Sequence, residues 1–326
     1  AIVGDAKDLS NKSIYLIGYA HMDLYWLWNH MESVKMFQDN MRQAVAFMKE
    51  KPNYVYSQSQ AAIYAEVEKS DPETFEEIKQ YVKEGRIEPL GGEWSEGDNN
   101  LSSGEAVARS FLLGQRYFKS RFDKMAKVGW LPDNFGHTAQ FPQMLQLAEI
   151  ENFYFHRCKP NNNTMKGNFV WEGKDGSKVL CYANNSYVTT LTPDVLRDFD
   201  PKRLLPENQD RLFHVLGVGD HGGGPTRRDI VASELMPKVD RFPSVKFTTA
   251  EKFFNDARKD IAKYPTHKGE LQFVFEGCYT SVADVKEGHR NSEAYLFESE
   301  VMNTLKNLFM PGGYPEKELK WAWERL

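Results

Sequence analysis

Cysteine is scarce in this chain. Only Cys158, Cys181 and Cys278 occur, far apart and odd in number, and no Cys-x-x-Cys pair is present. This argues against a disulfide framework or a cysteine-rich zinc site and suits a reducing, cytoplasmic setting. Long apolar runs are also missing. No stretch of about 20 apolar residues could span a bilayer, and no signal-peptide pattern is seen, so no membrane partner is expected. Clustered positive charge is lacking: the formal net charge is -5, without a Lys/Arg patch. Nucleic acid is therefore not expected as a partner. The Walker lysine and Gly-x-Ser-x-Gly are absent, so phosphate cradling and a serine nucleophile lack support. No internal repeat, low-complexity tract or flexible linker stands out.

The 326 residues, 41% hydrophobic and 27% charged, describe a globular chain with one large domain or two ordinary ones. Periodicity and capping signals predict strands near 14–17, 54–57, 86–90, 127–130, 152–155, 212–218, 245–248 and 271–275, and a hairpin pairing 169–172 with 179–182. Helices are predicted over 31–49, 60–67, 72–82, 104–120, 141–149, 229–239 and 249–257. Strands and helices alternate, so the chain is of the α/β class. After about residue 286 the pattern becomes purely helical, with helices near 289–308 and 316–326. The expected division is a catalytic domain over 1–285 and the start of a helical domain over 286–326.

Polar clusters follow the strands, as in parallel α/β folds, where sites form at the strands' carboxyl ends. His21-x-Asp23 follows the first strand and Trp26 lies just beyond it. The pair reads either as two ligands to a divalent ion or as a His–Asp hydrogen bond at a strand end. Asp133 follows Pro132, and Gly136 would permit a tight turn that aims it into a site. Gly217-Val218-Gly219-Asp220-His221-Gly222-Gly223-Gly224-Pro225 is either a flexible turn or a loop stripped of side chains so that a ligand reaches Asp220 and His221. Glu93, Glu96 and Asp98 beside Trp94 read first as a solvated acidic face.

Together these blocks resemble the α-mannosidases of glycoside hydrolase family 38. The resemblance is carried by His21-Met22-Asp23-Leu24-Tyr25-Trp26, Gly91-Gly92-Glu93-Trp94-Ser95-Glu96 and Asn100-Leu101-Ser102-Ser103-Gly104-Glu105. It continues through Gly129-Trp130-Leu131-Pro132-Asp133-Asn134-Phe135-Gly136, Gly219-Asp220-His221-Gly222-Gly223-Gly224-Pro225-Thr226 and Gly277-Cys278-Tyr279-Thr280-Ser281. It implies a distorted seven-stranded β/α barrel with one catalytic zinc, followed by a helical bundle cut short here. It assigns zinc to His21, Asp23 and Asp133, the nucleophile to Asp133, and sugar contacts to Trp26, Phe135, Arg157 and Tyr279. The family's fourth ligand, a histidine before the Gly-x-Tyr-Thr block, has no counterpart in Val274-Phe275-Glu276-Gly277. His221 is the preferred replacement, with Glu276 second.

The implied reaction is retaining hydrolysis of an α-mannoside in a glycan or oligosaccharide, through a covalent glycosyl-enzyme on Asp133. Asp220 is the expected acid/base and Asp98 the fallback. Two other readings stay open: a metal hydrolase resembling polysaccharide deacetylases, in which the metal activates water, and a non-catalytic sugar-binding domain. Nothing in the chain speaks for or against a homo-oligomer.

Overall fold

The computed structural model describes residues 10–184, 186–191, 206, 208–219, 223–239, 242–272, 276–310 and 312–326. Its first sheet is organised on β1 (Ser13–Tyr19), which is buried on both faces, as its apolar run dictates. On one side β1 pairs in parallel with β9 (Arg211–Leu216). Its other edge is shared. Residues 13–16 pair with β10 (Ser244–Phe247), and Gly18–Tyr19 with β2 (Tyr56–Gln58). β2 continues to β3 (Ile87–Pro89). The second sheet runs β4 (Val128–Leu131), β6 (Asn152–Phe155), β8 (Lys178–Ala183), β7 (Gly167–Glu172) and β11 (Thr266–Lys268). Only the β7–β8 hairpin in it is antiparallel. A short pair joins β5 (Gly136–His137) to β12 (Leu271–Gln272). The expected strand over 271–275 is seen for its first two residues, the remainder lying outside the described residues.

The α/β class holds, but the ladders form two five-stranded sheets and no closed barrel among the described residues. The physical reason lies at the two seams. From β3 to β4 one backbone bond crosses, Gly91 N to Val128 O. From β9 to β8, Phe213 N donates to the Tyr182 hydroxyl. Aromatic rings from the two sheets pack into the space between: Tyr19 meets Trp130 with centroids 4.9 Å apart, and Tyr182 meets Phe213 at 5.4 Å. These residues share one core with Leu16, Leu90 and Val215 from the first sheet.

Local chemistry sets the helix starts. Asn29 and Glu32 form a capping box on α1 (His30–Glu50), whose Phe37, Met41, Ala44, Val45 and Met48 are buried. α2 (Ala61–Ser70) follows β2, Asp71 caps α3 (Pro72–Glu84), and Gly85 ends it at φ 75°. Ser103 caps α4 (Gly104–Phe122). The C-terminal helices Ala283–Phe309 and Glu316–Trp323 pack on α4 and the loop before it. Arg109 pairs with Glu300 at 2.5 Å, Glu293 accepts from Ser103 N at 2.9 Å, and Trp94 Nε1 donates to Glu324 O at 3.0 Å. The first of these helices begins before the expected boundary at 286. A short helix, Glu276–Thr280, precedes it where none was expected.

Two positions give tests of this architecture. Gly114 of α4 lies so close to the loop at residues 92–93 that a Cβ would overlap the backbone of Gly92 and Glu93. Gly114→Ala should destabilise by about 1–3 kcal/mol in urea denaturation, and an unchanged midpoint would refute the close approach. Glu88 is buried. It accepts from Ser57 Oγ and from the backbone of Ala250 and Glu251, at 2.7–2.8 Å. Burial pushes its pKa up to about 7, against these hydrogen bonds. The folded chain then holds a proton between pH 4.5 and 7 that the unfolded chain releases. Its contribution to stability is complete below pH 4.5 and is lost as pH rises through 7. Glu88→Gln should flatten the decline in unfolding free energy over that window, and parallel curves for the two proteins would contradict the assignment.

Candidate metal centre

Four strand ends converge. Beyond β1, His21 is 2% exposed and Asp23 partly exposed. Beyond β4 comes Asp133, beyond β6 Arg157, and the loop after β3 supplies Glu96. His21 Nε2 stands 3.6 Å from Asp23 Oδ1 and 3.8 Å from Asp133 Oδ2. One ligand atom from each of the three lies within 4.8 Å of the others. These residues line a cavity of about 300 Å³, together with Gln60, Asn134 and Phe135.

The donor set fits a divalent ion. Nε2 of His21 is buried and has no hydrogen-bond partner among the described residues, yet faces two carboxylate oxygens. Ligand atoms around a tetrahedral zinc stand roughly 3.4 Å apart, close to the separations seen. Burial pushes the His21 pKa down. The carboxylates of Glu96, Asp23 and Asp133 push it up and prevail, to about 9. At neutral pH the metal-free imidazole is therefore protonated, and an ion must displace that proton.

Asp133 is held from two directions. Arg157 Nε reaches its Oδ1 at 2.5 Å, and its backbone N donates to Glu96 Oε1 at 2.9 Å. Arg157 also lies over the Phe135 ring at 5.4 Å. Gly136 serves close approach rather than a tight turn. It belongs to β5, and a Cβ there would overlap the side chains of Asn100 and Gln272.

Other expected site residues stand apart from the cavity lining. Trp26 is 60% exposed and packs edge-on against Trp28, while its neighbours Leu24 and Tyr25 line the cavity. Tyr279 accepts from Asn100 Nδ2 at 3.0 Å and is not in the lining. Asp98 does line it, but its Oδ1 accepts from the backbone of Asn100 and Leu101. Asp220, His221 and the Glu276 side chain lie outside the described residues.

The acidic loop is not the solvated face expected. Glu93 is 4% exposed and the Glu96 side chain 9%. Burial, then the charge of Glu96, pushes the Glu93 pKa well up. Gln60 was also not singled out. It adopts φ 68° and ties two loops together, donating to Met22 O at 2.8 Å and accepting from Glu96 N at 3.0 Å. Tyr187 packs edge-on against His21 at 4.9 Å. The signal available in the sequence was position: Gln60 and Glu96 both follow strands.

The model of the glycosyl hydrolases family 38 N-terminal domain matches residues 11–270. Alpha-mannosidase G of Dictyostelium discoideum is 33% identical over 324 residues, 97% of this chain and 30% of that protein. Human alpha-mannosidase 2C1 is 32% identical over 327 residues, 97% of this chain and 31% of that protein. The chain thus spans about a third of the length of these relatives. A crystal structure of an alpha-mannosidase from Enterococcus faecalis V583 has the same fold, with TM-score 0.75 at 20% identity, over 96% of this chain and 38% of that one.

Loaded with zinc and dialysed, the protein should retain about one ion per chain by elemental analysis. His21→Ala and Asp23→Ala should each abolish this retention. Since the competing proton leaves His21 only near pH 9, zinc affinity should rise with pH between 6 and 9. Full retention by either variant would exclude this centre, and a flat profile would contradict the competing proton on His21.

Proposed function

The chain belongs to glycosyl hydrolase family 38, and on that premise we propose that its site hydrolyses α-mannosides with retention of configuration. The observation that carries the reading is the meeting of Asp133 with His21 and Asp23 at metal-ligand spacing inside one cavity. The names of the relatives support the substrate class, mannose-containing glycans or oligosaccharides.

In this reading Asp133 attacks the anomeric carbon and forms a glycosyl-enzyme that water then hydrolyses. Arg157, on Oδ1, and Glu96, on the backbone amide, fix the direction of that carboxylate. A zinc held by His21, Asp23 and Asp133 would supply a Lewis acid for sugar hydroxyls. Asp220 is the proposed acid that protonates the leaving oxygen. Asp98 is second, because one of its oxygens already holds two backbone amides. His221 is the proposed fourth ligand. Phe135 from the cavity wall and Arg157, held against Asp133, are proposed to meet the sugar, with Trp26 and Tyr279 contributing from outside the lining.

Seven of the strands, β1, β2, β3, β4, β6, β8 and β9, are read as the staves of a barrel opened at two seams. Residues up to 285 form the catalytic domain, and the helices beyond begin the next. The buried thiols of Cys158 and Cys181 suit the reducing, cytoplasmic setting that belongs to this reading.

Asp133→Ala should lower turnover of an aryl α-mannoside on the order of 10³-fold or more. A 2-deoxy-2-fluoro mannosyl fluoride should label Asp133, as peptide mass mapping would show. Labelling at another carboxylate, or turnover without any covalent adduct, would reject the nucleophile; the second result would favour a metal-activated water, as in the deacetylase-like reading.

A further inference from the structure

Glu96 reaches two of the three candidate ligand residues with one carboxylate. Its Oε1 accepts from the Asp133 backbone N at 2.9 Å. Its Oε2 faces His21 Nδ1 at 3.6 Å. Both of these last atoms are buried, and neither has another partner among the described residues. An unmet buried acceptor is costly, and so is an unmet imidazole nitrogen. They face each other slightly beyond hydrogen-bond length, so with the proton on Nδ1 a small approach would satisfy both.

The tautomer follows from the other ring nitrogen. Nε2 is the atom turned toward Asp23 and Asp133, so it is the one that meets a metal. A metal-bound imidazole must then carry its proton on Nδ1 and needs an acceptor there. The carboxylate facing that nitrogen is Glu96. The loop that carries it is fixed independently. Glu96 N donates to Gln60 Oε1 at 3.0 Å, Asn134 Nδ2 donates to Gly97 O at 2.6 Å, and Trp94 N donates to Ser110 O at 2.9 Å.

We infer that Glu96 is a positioning residue of the metal centre, holding the His21 ring in its ligating orientation and tautomer while fixing the backbone of Asp133. This rests on the reading of His21, Asp23 and Asp133 as a metal site. Glu96 would neither bind the ion nor touch the reacting sugar atoms. It acts through the residues that do.

Glutamine separates this role from simple capping. Glu96→Gln keeps an oxygen for the Asp133 amide but presents an NH2 group to His21 Nδ1, which removes the acceptor. Zinc affinity, measured by chelator competition, should fall 10–100-fold in Glu96→Gln. The visible spectrum of the cobalt-substituted protein should change, and the far-ultraviolet circular dichroism of the metal-free protein should not. Affinity within twofold of wild type with an unchanged cobalt spectrum would overturn the inference. A second measurement needs no variant at Glu96. Long-range ¹H–¹⁵N correlation spectra of the zinc-loaded wild type, with His21 assigned through His21→Gln, should show the proton on Nδ1. A proton on Nε2 would overturn the inference, since zinc would then meet Nδ1 on the Glu96 side. Wild type that takes up no zinc would overturn the metal site and this inference together.

Discussion

The structure turns on one electrostatic constraint: an imidazole buried to 2% exposure with three carboxylates around it. Carboxylates brought this close repel one another and lose hydration, so they need a cation among them. A proton on His21 meets that need in the metal-free chain, and a divalent ion would meet it better. The fold's task is to hold the four groups against their mutual repulsion. They arrive from β1, β3 and β4, so no single loop has to carry the strain.

The supports reach well away from the cavity. Gln60 accepts a left-handed backbone conformation to join the loops after β1 and β3. Arg157, from the end of β6, supplies the positive charge that offsets Asp133 on its outer side. The C-terminal helices grip the same acidic loop from behind, through Trp94, Ser103 and Arg109. Glycine permits the closeness required: Gly114 lets α4 lie against the loop backbone at 92–93.

Much of the fold was legible in local chemistry. Asn29, Asp71 and Ser103 begin their helices where cap residues should, because a side-chain acceptor for orphan amides is a local property. β6 falls on residues 152–155 as its apolar run implies. β5 and β11 were not foreseen, being only two and three residues long and stabilised by distant partners. The barrel did not appear as expected, since closure depends on how Tyr19, Trp130, Tyr182 and Phe213 pack between the two sheets. Composition carries no record of that packing.

His21, Asp23 and Asp133 were singled out from residue type and place after strands, and the family resemblance joined them as ligands; the sequence by itself determined that these groups exist at strand ends. Only the tertiary structure decided what Glu93 and Glu96 are. An acidic loop looks solvated in one dimension. Here α4 and the C-terminal helices cover it, and one of its carboxylates ends against His21 and Asp133. Burial and pairing arise from elements far apart in the chain, so an acid's surroundings, and with them its role, belong to the fold rather than to its neighbours in sequence.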